Sequence, residues 1–184
     1  MTCSIRGIAM CSIVLFGAVF APPPAGAQSQ GQNGYTAIAL DGQDAIGPHL
    51  ALVQRSSTDW LGFSYLSDRG ELYAGSCTVT CPPRILLAGG DDRGRFVSAA
   101  ARPARPGAPA FVAFYNATQG DLEAIDCSDF SCNFGTLRVL DTVGDVGAGT
   151  ATAVDLGSGL PYVAYYDATT HGLRVYRCAN PGCS

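Results

Sequence analysis

The chain has 184 residues, with 11 Lys plus Arg against 15 Asp plus Glu, and all of the Lys-plus-Arg count is arginine. A formal net charge of −4, without any run of clustered positive charge, gives no footprint for DNA or RNA. No apolar run after the first residues is long enough to cross a membrane as a helix.

Residues 1–27 read as a secretory leader. Arg6 supplies a positive n-region, 8–20 is an apolar stretch shorter than a membrane span, and Ala25-Gly26-Ala27 offers a small-residue cleavage site. A retained anchor is the rival reading. Removal of the leader takes Cys3 and Cys11 with it and leaves 28–184 as a secreted, extracellular or periplasmic domain with no membrane insertion.

After a polar lead, 35–40 alternates as a strand and runs into the turn Asp41-Gly42-Gln43-Asp44. Strands follow at 49–53, 60–65 and 71–76, the last ending at Cys77. The cycle restarts with 84–88, 96–101, 110–115 and 121–126, with the proline-rich loop 102–109 as its longest connection. A third cycle fills the same slots with 136–140, 150–154, 162–166 and 173–177. No segment has the length and 3.6-residue period of an amphipathic helix.

The repetition is the strongest feature of the chain. Cys77, Cys127 and Cys178 recur at intervals of 50 and 51 residues. Tyr65, Tyr115 and Tyr166 each stand 12 residues before that cysteine, and Leu72, Leu122 and Leu173 each stand five before it. The repeat units are roughly 35–83, 84–134 and 135–184. The six cysteines beyond the leader fall into three close pairs: Cys77 with Cys81, Cys127 with Cys132, and Cys178 with Cys183. Three pairs in an exported chain predict one local disulfide per unit. Zinc is the alternative, but it would require two pairs from separate units to meet.

Four short strands per unit of about 50 residues are the pattern of propeller blades. Here the sequence resembles the beta-propeller families, and in particular bacterial secreted repeats with a Tyr-Tyr-Asp-Ala-Thr, Gly-Asp-Leu and Cys-x4-Cys pattern. The closest local matches are the residues 165–169 and 119–127, and the resemblance covers 35–183. The expected fold is therefore all-β, with three four-stranded blades. Their phase is shifted, so that the chain opens on a lone strand of the last type. A β-solenoid or sandwich is the alternative architecture. Three units are fewer than the four or more of typical propellers, so closure could be made between chains, as a dimer or ring, a contact that does not close would give a fibre, and an open arc is the alternative.

Candidate sites divide between ligand and architecture. Trp60, Tyr65, Tyr115 and Tyr166 could stack on sugar faces, or pack between sheets. Asp68, Asn116 and Asp167 follow the third strands, where short polar side chains cap turns. The turn aspartates Asp41/Asp44, Asp91/Asp92 and Asp141/Asp145 lack the dense oxygen alternation of a calcium loop. Asn116-Ala117-Thr118 fits the glycosylation pattern in a turn expected to be exposed. His49 and His171 sit at non-equivalent positions and read as surface or turn residues. No catalytic residue, metal site or cofactor is nominated. The expected function is a secreted, non-enzymatic structural or interaction module that associates with copies of itself. A glycan-binding propeller with one pocket per repeat is the alternative, and a fragment of a propeller hydrolase the third.

Overall fold

The computed structural model describes residues 29–30, 36–37, 49–57, 59–66, 69–77, 83–87, 90–103, 105, 107 and 110–184. The leader, most of the opening strand 35–40 and Asp68 lie outside the described residues. Every regular element among the described residues is a strand, and no helix there is long and apolar enough to cross a membrane.

Two short pieces, β1 (Ser29–Gln30) and β2 (Thr36–Ala37), pair with each other. The first large sheet joins β3 (Leu50–Gln54), β4 (Trp60–Leu66), β5 (Glu71–Cys77) and β6 (Pro83–Leu87). The second joins β7 (Arg93–Ala101), β8 (Ala110–Asn116), β9 (Asp121–Cys127) and β10 (Gly135–Asp141). The third joins β11 (Val146–Val154), β12 (Pro161–Asp167) and β13 (Gly172–Arg177). All three are antiparallel meanders, in which each strand pairs with its chain neighbour.

The sheets are out of step with the sequence repeats. The strand after each cysteine pair opens a repeat in sequence but closes the preceding sheet in space: β6 pairs with β5, and β10 with β9. Within each sheet the spacing of the anchors becomes a cross-strand contact. Tyr65 stands opposite Leu72, Tyr115 opposite Leu122, and Tyr166 opposite Leu173.

The second sheet lies between the other two, and side-chain alternation along its strands feeds two separate cores. Ala110, Val112, Phe114 and Ile125 face the first sheet, where Val53, Leu61, Phe63, Leu72 and Ala74 meet them. Phe111, Ala113, Leu122 and Ala124 face the third sheet and pack on Val146, Val163 and Tyr165. Covering both faces is why the run AFVAFYN of β8 is apolar almost throughout. The related run PYVAYYD of β12 alternates between buried and open positions, because only one of its faces is covered.

Two bulges in equivalent places shape the first strand of the second and third sheets. Gly94 and Gly147 occupy the first of them, at φ of 115° and 112°. A Cβ on Gly94 would lie 3.0 Å from the Tyr65 ring, and one on Gly147 would lie 2.9 Å from Cα of Leu122. Each glycine therefore marks a close approach of its sheet to the sheet before it.

The expectation of one local disulfide per unit is met in the second and third units, by Cys127–Cys132 and Cys178–Cys183. These bridges close short loops at the strand exits, and their presence is compatible with an extracellular or periplasmic location. The bridge expected in the first unit, between Cys77 and Cys81, lies outside the described residues. Cys81 lies outside the described residues, and of Cys77 only the backbone, at the end of β5, is within them.

Candidate interaction face

The sheets are clasped at both ends, and the clasps repeat. At the turn end, the Tyr65 hydroxyl donates to Asp92, in the turn that leads into β7. One sheet later, the Tyr115 hydroxyl donates to Asp145, in the turn leading into β11, at 2.7 Å. Each aspartate is fixed in turn by its own sheet. The Asp92 N–H donates to Thr118 Oγ1 at 2.7 Å, and the Asp145 N–H to Thr169 Oγ1 at 2.7 Å. Ala117 and Ala168 donate their N–H groups to the carbonyls of Asp92 and Asp145, both at 2.8 Å.

This explains the Asn/Asp-Ala-Thr motif. Asn116 Oδ1 accepts from the N–H groups of Thr118 and Gln119 at 3.0 and 3.2 Å. Asp167 Oδ1 accepts from Thr169 and Thr170 at 2.9 and 3.0 Å. These are Asx turns that present the threonine hydroxyl to the N–H of the aspartate that leads into the same sheet. Both capping side chains are fully buried. The expectation of an exposed glycosylation site at Asn116 is thereby corrected: its Nδ2 donates to Glu123 Oε1 at 3.0 Å, beneath the turn. The buried Glu123 is balanced by Arg93 Nε at 2.9 Å. In the third sheet the charges are exchanged, with Asp167 at the capping position and Arg174 Nη2 2.6 Å from it.

At the cysteine end the clasp is an arginine. Arg55 follows β3 and donates from Nη1 to the Phe130 carbonyl in the Cys127–Cys132 loop at 2.5 Å, with its guanidinium 4.4 Å from the Phe130 ring centroid. Arg102 follows β7 and donates to the Pro181 carbonyl in the Cys178–Cys183 loop at 3.1 Å. Its buried guanidinium also reaches the carbonyls of Ala110 and Cys127 at 2.8 and 2.9 Å and pairs with Asp126. These two disulfide loops thus hold the carbonyl that receives the preceding sheet's arginine. After β11 the equivalent place is taken by Asp155, which accepts instead from Gly157 and Ser158 of its own loop.

Burial and hydrogen bonding set the titration of these groups. Tyr115 is pushed up to about 12, by desolvation first and by its bond to Asp145 second. Tyr165, which donates to Asp141 at 2.5 Å, is likewise pushed up to about 12. His49 packs edge-on against Phe96, with ring centroids 4.6 Å apart, and burial followed by the charge of Arg95 lowers its pKa. It is a partly buried residue just before β3 that packs on the exposed Phe96 ring. His171 is a turn residue, at φ of 55° in the place held by Gly70 and Gly120.

The candidate aromatic residues are not presented alike. Tyr65 is buried, Tyr115 is half-buried under Asp145, and Tyr166 is 41% exposed. Trp60 is half-buried at the start of β4, opposite Gln54 and Cys77. Among the described residues no group of three or more His, Cys, Asp or Glu side chains could hold a metal ion.

The difference among the tyrosines belongs to a whole face. In the third sheet Tyr166, Leu173 and Val175 point away from the second sheet, with Leu173 79% and Val175 62% exposed. The matching residues of the second sheet, Tyr115, Leu122 and Ala124, lie against the third sheet, and both Leu122 and Ala124 are fully buried. Those of the first sheet, Tyr65, Leu72 and Ala74, lie buried against the second. Among the described residues nothing covers this outer face of the third sheet, which carries the counterparts of the residues that form the two internal joints. Sequence periodicity identified these positions but not their exposure. The recurrence of Arg55 and Arg102, and of Asp92-x-Gly94 and Asp145-x-Gly147, was the signal available for the clasps.

No protein-family model and no curated protein matches the chain. Among solved structures, it is similar to puromycin hydrolase at 13% identity with a TM-score of 0.45, covering 76% of this chain and 23% of that one. The same values hold for a serine-to-alanine mutant of that protein complexed with PGG. The chain thus spans about a quarter of the length of the structures it matches.

Proposed function

We propose that the chain is a non-enzymatic interaction module of propeller-type sheets that associates with copies of itself through the open face of its third sheet. One observation carries this reading: Leu173 and Val175 stand exposed where Leu122 and Ala124, their counterparts one sheet earlier, are covered completely. Apolar surface left in water forgoes roughly 25 cal/mol per Å² of stabilisation, and a contiguous apolar patch on a sheet marks an interaction surface. The repeated tyrosine, aspartate and arginine clasps support sheet stacking as the way this chain builds contacts.

The test is sedimentation of the oxidised protein at micromolar concentration. The wild type is expected to run larger than a monomer, and the double substitution Leu173→Asp/Val175→Asp to run as a monomer with unchanged circular dichroism. A compact wild-type monomer would end the reading.

A further inference from the structure

Resting on that reading, we infer that copies join head to tail: the third-sheet face of one copy covers the first-sheet face of the next. Self-association alone does not decide this, because two third-sheet faces could also meet about a two-fold axis.

The two joints already inside the chain are of one kind. In each, the face carrying the tyrosine, Tyr65 or Tyr115, meets the opposite face of the following sheet, never its own kind. The receiving face of the second sheet is built by Val97 and Ala99 of β7 together with Val112 and Phe114 of β8. Ala99 stands opposite Val112, and in the first sheet Leu52 stands opposite Gly62 at the same distance from the cysteine. Leu52 therefore holds the place of Ala99, and Leu50, two residues earlier, lies on the same face.

Both leucines point away from the second sheet, Leu50 being 61% and Leu52 55% exposed, while Val53 between the sheets is buried. Among the described residues the tyrosine-bearing face of the third sheet is uncovered, and the receiving side of the first sheet exposes Leu50 and Leu52 along β3, whereas Gly62 and Ser64 opposite them on β4 are buried. Head-to-tail addition repeats the internal step and covers both, whereas a two-fold joint between third sheets leaves Leu50 and Leu52 in water.

The joint between copies differs from the internal joints in one respect. Asp155 stands after β11 where Arg55 and Arg102 stand after β3 and β7, so the arginine clasp is missing there. Contacts between copies are accordingly weaker than those within a copy, and association is reversible on dilution.

Complementation between two face variants separates the geometries. Leu173→Asp/Val175→Asp disables the tyrosine-bearing face, and Leu50→Asp/Leu52→Asp disables the receiving face. All four side chains are exposed, so folding is retained, and thermal unfolding by circular dichroism verifies it. Head-to-tail joining predicts that each variant alone is monomeric and that an equimolar mixture forms a one-to-one dimer through the single intact joint, as read by light scattering. A Leu50→Asp/Leu52→Asp variant that still dimerises alone, or a mixture that stays monomeric while the wild type associates, overturns the head-to-tail joint and leaves self-association standing. A monomeric wild type overturns both.

Discussion

The hydroxyl of Tyr115 donates to Oδ1 of Asp145 at 2.7 Å, across the joint between the second and third sheets. Tyr65 and Asp92 repeat the bond one joint earlier. A hydrogen bond to a charged acceptor contributes about 1.5–3 kcal/mol when enclosed, and less near solvent. Tyr115→Phe should therefore cost about 1 kcal/mol, and Tyr65→Phe, in its buried setting, about 2 kcal/mol. Urea unfolding of the two variants measures this. Equal stability of both with the wild type would show that the bonds orient the sheets without holding them.

Gly94 and Gly147 make the same prediction at the same joints. At φ of 112° and with Cα of Leu122 only 2.9 Å from an added Cβ, Gly147→Ala must strain its backbone and displace the second sheet. The expected loss is about 3 kcal/mol or more, combining dihedral strain with overpacking. Gly149 is the control, since its φ of 62° adds strain but its Cβ would meet nothing within 4 Å. Gly149→Ala should cost about 1 kcal/mol. Thermal melts of the pair give the comparison, and similar losses would refute the close approach.

Arg102 is a buried cation with an acidic partner and three carbonyl acceptors. Burial, its largest influence, lowers the pKa of the guanidinium against the opposing pull of Asp126. Arg102→Met leaves Asp126 and the carbonyls without their donor, a class of change that costs about 3–5 kcal/mol. Arg105 remains beside Asp126 at 3.2 Å and should hold the loss near the lower figure. Arg102→Lys should recover little, because a point charge cannot reach the acceptors together. Full recovery by lysine in a denaturation series would contradict the fork geometry.

Asp167 gives a pH signature. Its carboxyl is held below the usual carboxylate range, first by the Thr170 hydroxyl, with burial opposing, and then by backbone donors and Arg174. A depressed folded pKa adds stability that is fully present above the unfolded value, about 3.9, and is lost as the pH falls through the folded one. Asp167→Asn keeps the turn cap, as Asn116 does one repeat earlier, but removes the charge. The stability gap between wild type and Asp167→Asn should be constant from about pH 7 to pH 5 and close below about pH 4. Acid titration of the melting temperature checks this, and a gap that persists at pH 2 would assign it to packing.

Much of the architecture was readable along the chain, because its determinants are local. Alternation placed β4, β5, β8, β9, β12 and β13 within a residue or two of their observed bounds. The close cysteine pairs predicted the two loops seen closed at Cys127–Cys132 and Cys178–Cys183, while the first pair has only the Cys77 backbone within the described residues. Asn116 and Asp167 were legible as turn caps, since an Asx turn needs only the residues two and three further on.

By itself, then, the sequence determined strands, turns, two cross-links and the equivalence of three units. Tertiary structure decided which of those equivalent positions are buried. Tyr65 and Tyr166 occupy the same place in their repeats, yet one is enclosed and the other open, because a sheet lies over the first and, among the described residues, none over the second. The side chain's chemistry is identical in the two places. What differs is a neighbour contributed by residues far along the chain, and neither spacing nor propensity carries that information. The same holds for Arg55, Arg102 and Asp92, each of which reaches a partner in another sheet.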